Sequence, residues 1–209
     1  MSGPTPPTPP APPPRPPRPP ERLVLGDLVL RRWRRSDARA MSAVVAANLD
    51  HLRPWMPWAA LEPISPADRQ ALLGRWDRAW ETGDELNYGL FVERRPIGSC
   101  GLMRRIGPGG LEIGYWVDRH HQGRGYATRA TAALTDVAFG LPGVEYVEVH
   151  HDVANARSGA VPRRLGFTVV GDEPREVLAP AEAGTTRVWR MRRADWPAVR
   201  ERATRGPSR

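Results

Sequence analysis

Tyr115-Trp116-Val117-Asp118-Arg119-His120-His121-Gln122-Gly123-Arg124-Gly125-Tyr126-Ala127-Thr128 is the stretch on which the reading turns. A β-type run, Leu111–Asp118, ends in it and a glycine-bearing turn follows. A helix then opens over residues 123–139, with the apolar stripe Ala127, Ala130, Leu134, Val137 and Ala138. The first turn of a helix leaves its N–H groups without partners, and the helix dipole adds positive potential at the same place. Gly123 and Gly125 let another group approach the backbone, while Arg124 and Arg129 add charge. The segment is a candidate anion site suited to a phosphate or pyrophosphate. A dinucleotide fingerprint would need glycine where Thr128 stands. A Walker-type loop would need a lysine, and the chain has none. A tight strand-to-helix turn without a ligand stays open on the residues alone.

Outward from this segment the pattern is mixed α/β. Upstream, Leu28-Val29-Leu30 suits a strand, and Ser36 is placed to cap a helix from Asp37 to about Asn48. His51–Trp58 is interrupted by two prolines and reads as a loop or broken helix. Ser65-Pro66-Ala67-Asp68 has the cap, the first-turn proline and the acid of a helix start, so a helix runs to Thr82 and stops at Gly83. Asn87–Glu93 and Pro96–Arg105 read as strands joined at Arg94-Arg95, and Gly107-Pro108-Gly109-Gly110 as a turn. Downstream come a strand at Val144–Val149, a short helix over 155–165 closed by Gly166, and a strand pair at Phe167–Leu178 and Thr185–Met191. There is no internal repeat.

Residues 1–20 hold 12 of the 24 prolines and read as a disordered or polyproline tail, leaving residues 21–209 as one domain able to bury a core. PxxP spacings in the tail could dock on an aromatic groove, against the plainer reading of a solubilising segment. All 31 basic residues are arginine and the net charge is +8. Such a surplus suits an anionic cofactor, an acidic partner, nucleic acid or a solvated surface. No apolar run approaches a bilayer span and no apolar secretory core stands at the N-terminus, which points to a cytoplasmic protein. One cysteine, Cys100, allows no internal disulfide and no cysteine-based zinc site.

Gln122-Gly123-Arg124-Gly125-Tyr126-Ala127 resembles the (Gln/Arg)xxGx(Gly/Ala) signature of the GNAT superfamily of N-acetyltransferases. Asn155-Ala156-Arg157-Ser158, ending in Arg164-Leu165-Gly166-Phe167, resembles its later Asn-led helix. His51-Leu52-Arg53-Pro54-Trp55-Met56-Pro57-Trp58 and Ser158-Gly159-Ala160-Val161-Pro162 look like the ribosomal-protein-serine N-acetyltransferase-like branch. The likeness spans about residues 22–200. It implies a GNAT acyltransferase fold: a mixed, mostly antiparallel central sheet splayed at the cofactor strand and flanked by helices. It also implies acetyl-CoA or another acyl-CoA as co-substrate, no metal, and a possible homodimer.

The resemblance also assigns roles. The amides of residues 123–128, with Gln122 beside them, would hold the pyrophosphate, strand 111–118 would pair with the pantetheine arm, and a backbone N–H near Trp116 or Val117 would polarise the thioester carbonyl. Asn155 would fix the pantetheine or simply cap its helix. Glu112 is the candidate general base, read otherwise as a strand-end surface acid. Where many relatives place a general-acid Tyr, seven residues after the Asn, stands Pro162. Ser158 takes its place as a hydrogen-bond donor to the CoA sulfur, or serves as a cap. The residues themselves, apart from the resemblance, assign Trp55 and Trp58, aromatics in a loop, and His150, after a strand that should end at the cleft, to the acceptor wall, while Trp76 and Trp80, one helical turn apart, read as core.

His120-His121, before the phosphate turn, and His150-His151 with Asp152 could suggest a metal site, but no pair has the i, i+4 helical spacing of a zinc motif. Tryptophans among arginines could stack bases, but no nucleic-acid motif accompanies them. The expected reaction is acyl transfer to a primary amine, first a protein N-terminus or other protein amine. A small-molecule amine, a succinyl-type donor and a non-catalytic acyl-CoA-binding adaptor remain as alternatives.

Overall fold

In the computed structural model, residues 18–205 are described; the proline-rich tail expected over residues 1–20 lies almost wholly outside them. Eight strands form one sheet. They are β1 (Arg22–Leu25), β2 (Leu28–Arg32), β3 (Glu85–Val92), β4 (Arg95–Met103), β5 (Gly110–Val117), β6 (Tyr146–Asp152), β7 (Thr168–Pro174) and β8 (Thr185–Arg192). Their spatial order is β1-β2-β3-β4-β5-β6-β8-β7. Each neighbouring pair is antiparallel except β5 and β6, which run parallel. Among the described residues six α-helices accompany them: α1 (Ala38–Ala46), α2 (Leu49–Leu52), α3 (Pro66–Thr82), α4 (Tyr126–Gly140), α5 (Ala156–Arg164) and α6 (Trp196–Arg205). None is long and apolar enough to cross a membrane.

Local chemistry sets most boundaries. The N–H of Asp68 donates to Ser65 Oγ at 3.1 Å, and α3 ends at Gly83 with φ 76°. The hairpin from β3 to β4 turns on Glu93 and Arg94, both at positive φ, one residue earlier than expected. Helix α4 packs on β4, β5 and β6, and α5 packs on α4 and β6. Under them lies the main core, with Leu102, Ile113, Leu134, Val147 and Val149. Helices α1 and α3 contribute to a second cluster around Trp33, Met41, Leu73 and Phe91.

Several expectations are corrected. Ser36 does not cap the first helix. Residues Arg35–Asp37 form a 3₁₀ turn, and the Asp37 carboxylate accepts from the Arg34 N–H at 2.9 Å and from the Arg31 guanidinium. The helix therefore begins at Ala38, stops at Ala46, and α2 follows it. Helix α4 starts at Tyr126 because Gly125 is left-handed. Strand β7 ends at Pro174. The sequence reading missed β1 and α6 altogether.

Candidate active site

Strands β5 and β6 stay paired for three rungs: Gly110–Tyr146, Leu111–Val147 and Glu112–Glu148. Beyond Glu112 they part. The N–H of Asp118 donates to Ile97 O of β4. Strand alternation then turns the N–H groups of Tyr115 and Val117 to the opposite edge, into the opening. Trp116 keeps its own N–H on the β4 side.

At the mouth of this opening lies the turn before α4. Asp118 accepts from the His120 N–H and faces His121 Nδ1, and Asn48 Oδ1 accepts from the Arg119 N–H at 2.9 Å. Buried Asn48 thus ties the end of α1 to the turn. Gly123 and Gly125 sit at φ 75° and 76°, with open space where a side chain would begin. The backbone N–H groups from Gly123 to Thr128 find no acceptor among the described residues. An unpartnered amide row beside bare glycines fits a pyrophosphate. Gln122 spans the cleft: its Nε2 meets His51 Nε2 at 2.6 Å, and its Oε1 accepts from Arg157 at 2.9 Å. Burial, then the Arg157 charge, lowers the His51 pKa. Arg129 is committed to Asp27 at 2.8 Å, while Arg124, between the two glycines, is exposed.

On the far side the opening widens into a cavity of about 1070 Å³. Trp55, Trp58, Trp76 and Trp116 wall it, with Trp58 and Trp116 ring centroids 6.3 Å apart. Glu112 faces it with both oxygens taken by Arg105, at 2.7 and 2.6 Å. Across the rung, buried Glu148 accepts from Arg190 Nε at 2.7 Å, and His150 Nε2 lies 2.6 Å from its other oxygen. A loop between β7 and β8 roofs the cavity. Its Ala181 N–H donates to Pro54 O at 3.0 Å, and Glu182 accepts from the N–H groups of Leu178 and Ala179.

Ser158 lies where the cavity meets α5. Asn155 Oδ1 accepts from the Ser158 N–H at 3.1 Å as a helix cap, and Asn155 itself lines the cavity. Pro162 is buried in α5. The hydroxyl that reaches this region comes instead from β5: Tyr115 Oη donates to Ser158 O at 2.8 Å and lies 3.4 Å from Ser158 Oγ.

Glu112, Ser158, Asn155, Trp116, Trp55, Trp58 and His150 therefore gather around one cavity. Gln122, Gly123, Arg124, Gly125, Tyr126, Ala127 and Thr128 form the turn at the other end. Tyr126 points away, its hydroxyl donating to Asp27 at 2.8 Å. Val117 is buried beside the splay. Trp76, read as core, is half-buried: it packs against the second cluster and also lines the cavity, while Tyr115 on the cavity wall and Glu148 on the Glu112 rung were missed by sequence reasoning. Alternation along β5 and β6 would have placed Glu148 beside Glu112, given the register.

The family model for the acetyltransferase (GNAT) domain matches residues 27–168. The chain belongs to the GNAT acetyltransferase family and is an N-acetyltransferase. Within that family it is similar to the ribosomal-protein branch. It is 27% identical over 154 residues to the [ribosomal protein uS5]-alanine N-acetyltransferase of Escherichia coli (strain K12), covering 72% of this chain and 79% of that protein. Identity is 25% over 146 residues, with shares of 69% and 79%, to YdaF of Bacillus subtilis (strain 168), whose name assigns it provisionally to ribosomal N-acetyltransferases. A solved structure of RimL, a ribosomal L7/L12 alpha-N-protein acetyltransferase in complex with coenzyme A, superposes with a TM-score of 0.75. It is 22% identical and covers 81% of this chain and 96% of that one.

Proposed function

We propose that this enzyme acetylates the N-terminal amine of a protein, with acetyl-CoA as donor, in the cytoplasm and as a homodimer. Bound acetyl-CoA supplies an activated acyl thioester. The amides of Gly123 to Thr128 bind its pyrophosphate, Arg124 adds charge, and Asn155 Nδ2 steadies the pantetheine. The Val117 N–H, facing the splay, is placed to stabilise charge developing on the thioester oxygen. Glu112 takes the proton of the attacking amine, one Arg105 contact opening as it does so. Ser158 Oγ–H donates to the departing sulfur. Trp55, Trp58, Trp116 and His150 shape the acceptor space.

The observation that carries the choice of acceptor is the wall of tryptophans, Trp55, Trp58, Trp76 and Trp116, in the cavity that Glu112 faces. Of the cavity's carboxylates, Glu62 and Glu112 are paired with arginines, while Asp68, Asp152 and Glu182 are held by a hydroxyl or by backbone N–H groups and keep their charge, and Glu173 is exposed. A chain end with one amine and apolar neighbours suits the tryptophan wall. The name of the uS5-alanine relative supports the same class.

The test is free-thiol release from acetyl-CoA against N-terminal peptides, polyamines and aminoglycosides, with succinyl-CoA in parallel. Peptide-dependent release is expected. Release only with a polyamine or aminoglycoside would overturn the acceptor, and preference for succinyl-CoA would overturn the donor. Saturable CoA binding without any turnover would favour an adaptor.

A further inference from the structure

We infer that Tyr115 is a positioning residue for Ser158, replacing from the central sheet the tyrosine that α5 lacks. The inference rests on the proposed role of Ser158. Tyr115 is carried by β5, next to the opening between β5 and β6, and Ser158 by the first turn of α5, 43 residues later. The tyrosine's proton is given to Ser158 O at 2.8 Å. Its oxygen therefore has only lone pairs to offer, and Ser158 Oγ lies 3.4 Å away as their donor. The first contact is short and fixes the backbone of residue 158. The second is long and weak, so the serine hydroxyl is held in one direction yet can be released to a sulfur anion at small cost.

Burial raises the Tyr115 pKa, so the phenol stays protonated and the arrangement persists through the working pH range. Asn155 Oδ1 holds the Ser158 N–H from the other side, at 3.1 Å. Both backbone groups of residue 158 are thus anchored, one by the strand and one by the cap. No bond forms or breaks at Tyr115.

The test uses Tyr115→Phe, which keeps the ring and removes the oxygen. Bound CoA is titrated by the ultraviolet absorbance of its thiolate, which needs no acceptor. The wild type is expected to lower the thiol pKa relative to free CoA. Tyr115→Phe and Ser158→Ala should lose that lowering, and the double variant should be no worse than Ser158→Ala.

In turnover, kcat should fall about ten-fold with KM for acetyl-CoA nearly unchanged, the scale of one hydrogen bond. Ser158→Thr, which keeps a hydroxyl, should remain sensitive to Tyr115→Phe. A thiol pKa identical in wild type and Tyr115→Phe would overturn the inference, as would losses in kcat that multiply in the double variant. Absence of turnover in the wild type, with the thiol shift intact, would instead overturn the proposed acceptor.

Discussion

Glu112 and Glu148 are Cα partners on the last rung that joins β5 to β6. Two carboxylates side by side would repel, yet each is held by its own arginine, Arg105 and Arg190. The rung is the end of the parallel ladder, and its Glu112 faces the cavity. Because the Arg105 side chain is 57% exposed, its grip on Glu112 is screened and can be exchanged.

Glu112→Gln should lower kcat about a hundred-fold near neutral pH, the lower range of general-base effects. KM for acetyl-CoA should change little. The deficit should narrow as pH rises past about 8, where an α-amine is neutral without help. Steady-state kinetics from pH 6 to 9 would check this, and a deficit independent of pH would remove Glu112 from the base role.

Gly125→Ala should raise the Kd for CoA about ten-fold while leaving the sheet intact. A left-handed residue with a side chain costs roughly 1 kcal/mol, and the amide row of the turn moves with it. Calorimetric titration with CoA measures the affinity, and far-ultraviolet circular dichroism the fold.

Buried Arg69 is bonded to buried Glu62 at 2.6 Å, and its Nε donates to Ser42 Oγ at 3.1 Å. Arg69→Met strands the Glu62 charge and should cost about 3–5 kcal/mol. The double variant Arg69→Met, Glu62→Leu should recover most of it. Denaturant melts of both variants decide the matter.

Burial lowers the pKa of His151 as well as that of His51. Above pH 6.5 both are neutral, folded or unfolded, and cost nothing. As pH falls through 6.5, the unfolded chain takes up protons that the folded chain resists, so stability falls. The melting temperature should therefore drop between about pH 7 and 5. His151→Asn should melt lower at pH 7 but with a flatter profile. Asp118 and Asp152 act in a separate, lower window. Burial raises each pKa, but hydrogen bonds outweigh it, the largest from the His120 N–H for Asp118 and the Ala183 N–H for Asp152. Their contribution is lost only as pH falls through the carboxylate range.

What the sequence made legible was local. Ser65 and Gly83 bracket α3 through contacts within one turn, so the residues announce it. Ser36 misled because Asp37, one residue on, reaches back to the Arg34 N–H and is itself held by Arg31 from β2. That competition is settled by tertiary contact. The roles of Glu112 and Ser158 followed from resemblance, and Trp55 and Trp58 from their place in a loop, while the other two cavity tryptophans were read otherwise. Tyr115 was invisible because an interior strand residue looks like core until the helix it meets is known. Trp76 shares a helix with Trp80, and only packing shows that it reaches the cavity wall as well as the second cluster.

The splay between β5 and β6 divides labour between main chain and side chains. Only proline removes a backbone N–H, so other substitutions reach the donor end through the shape of its turn, as at Gly125, rather than through a lost side chain. The cavity end is lined by Trp55, Trp58, Trp76 and Trp116, side chains each exchangeable alone, and the proposed acceptor would meet them there. Selection or a designed library at those four positions could redirect the enzyme to new amines while its grip on the acyl carrier stays as it was.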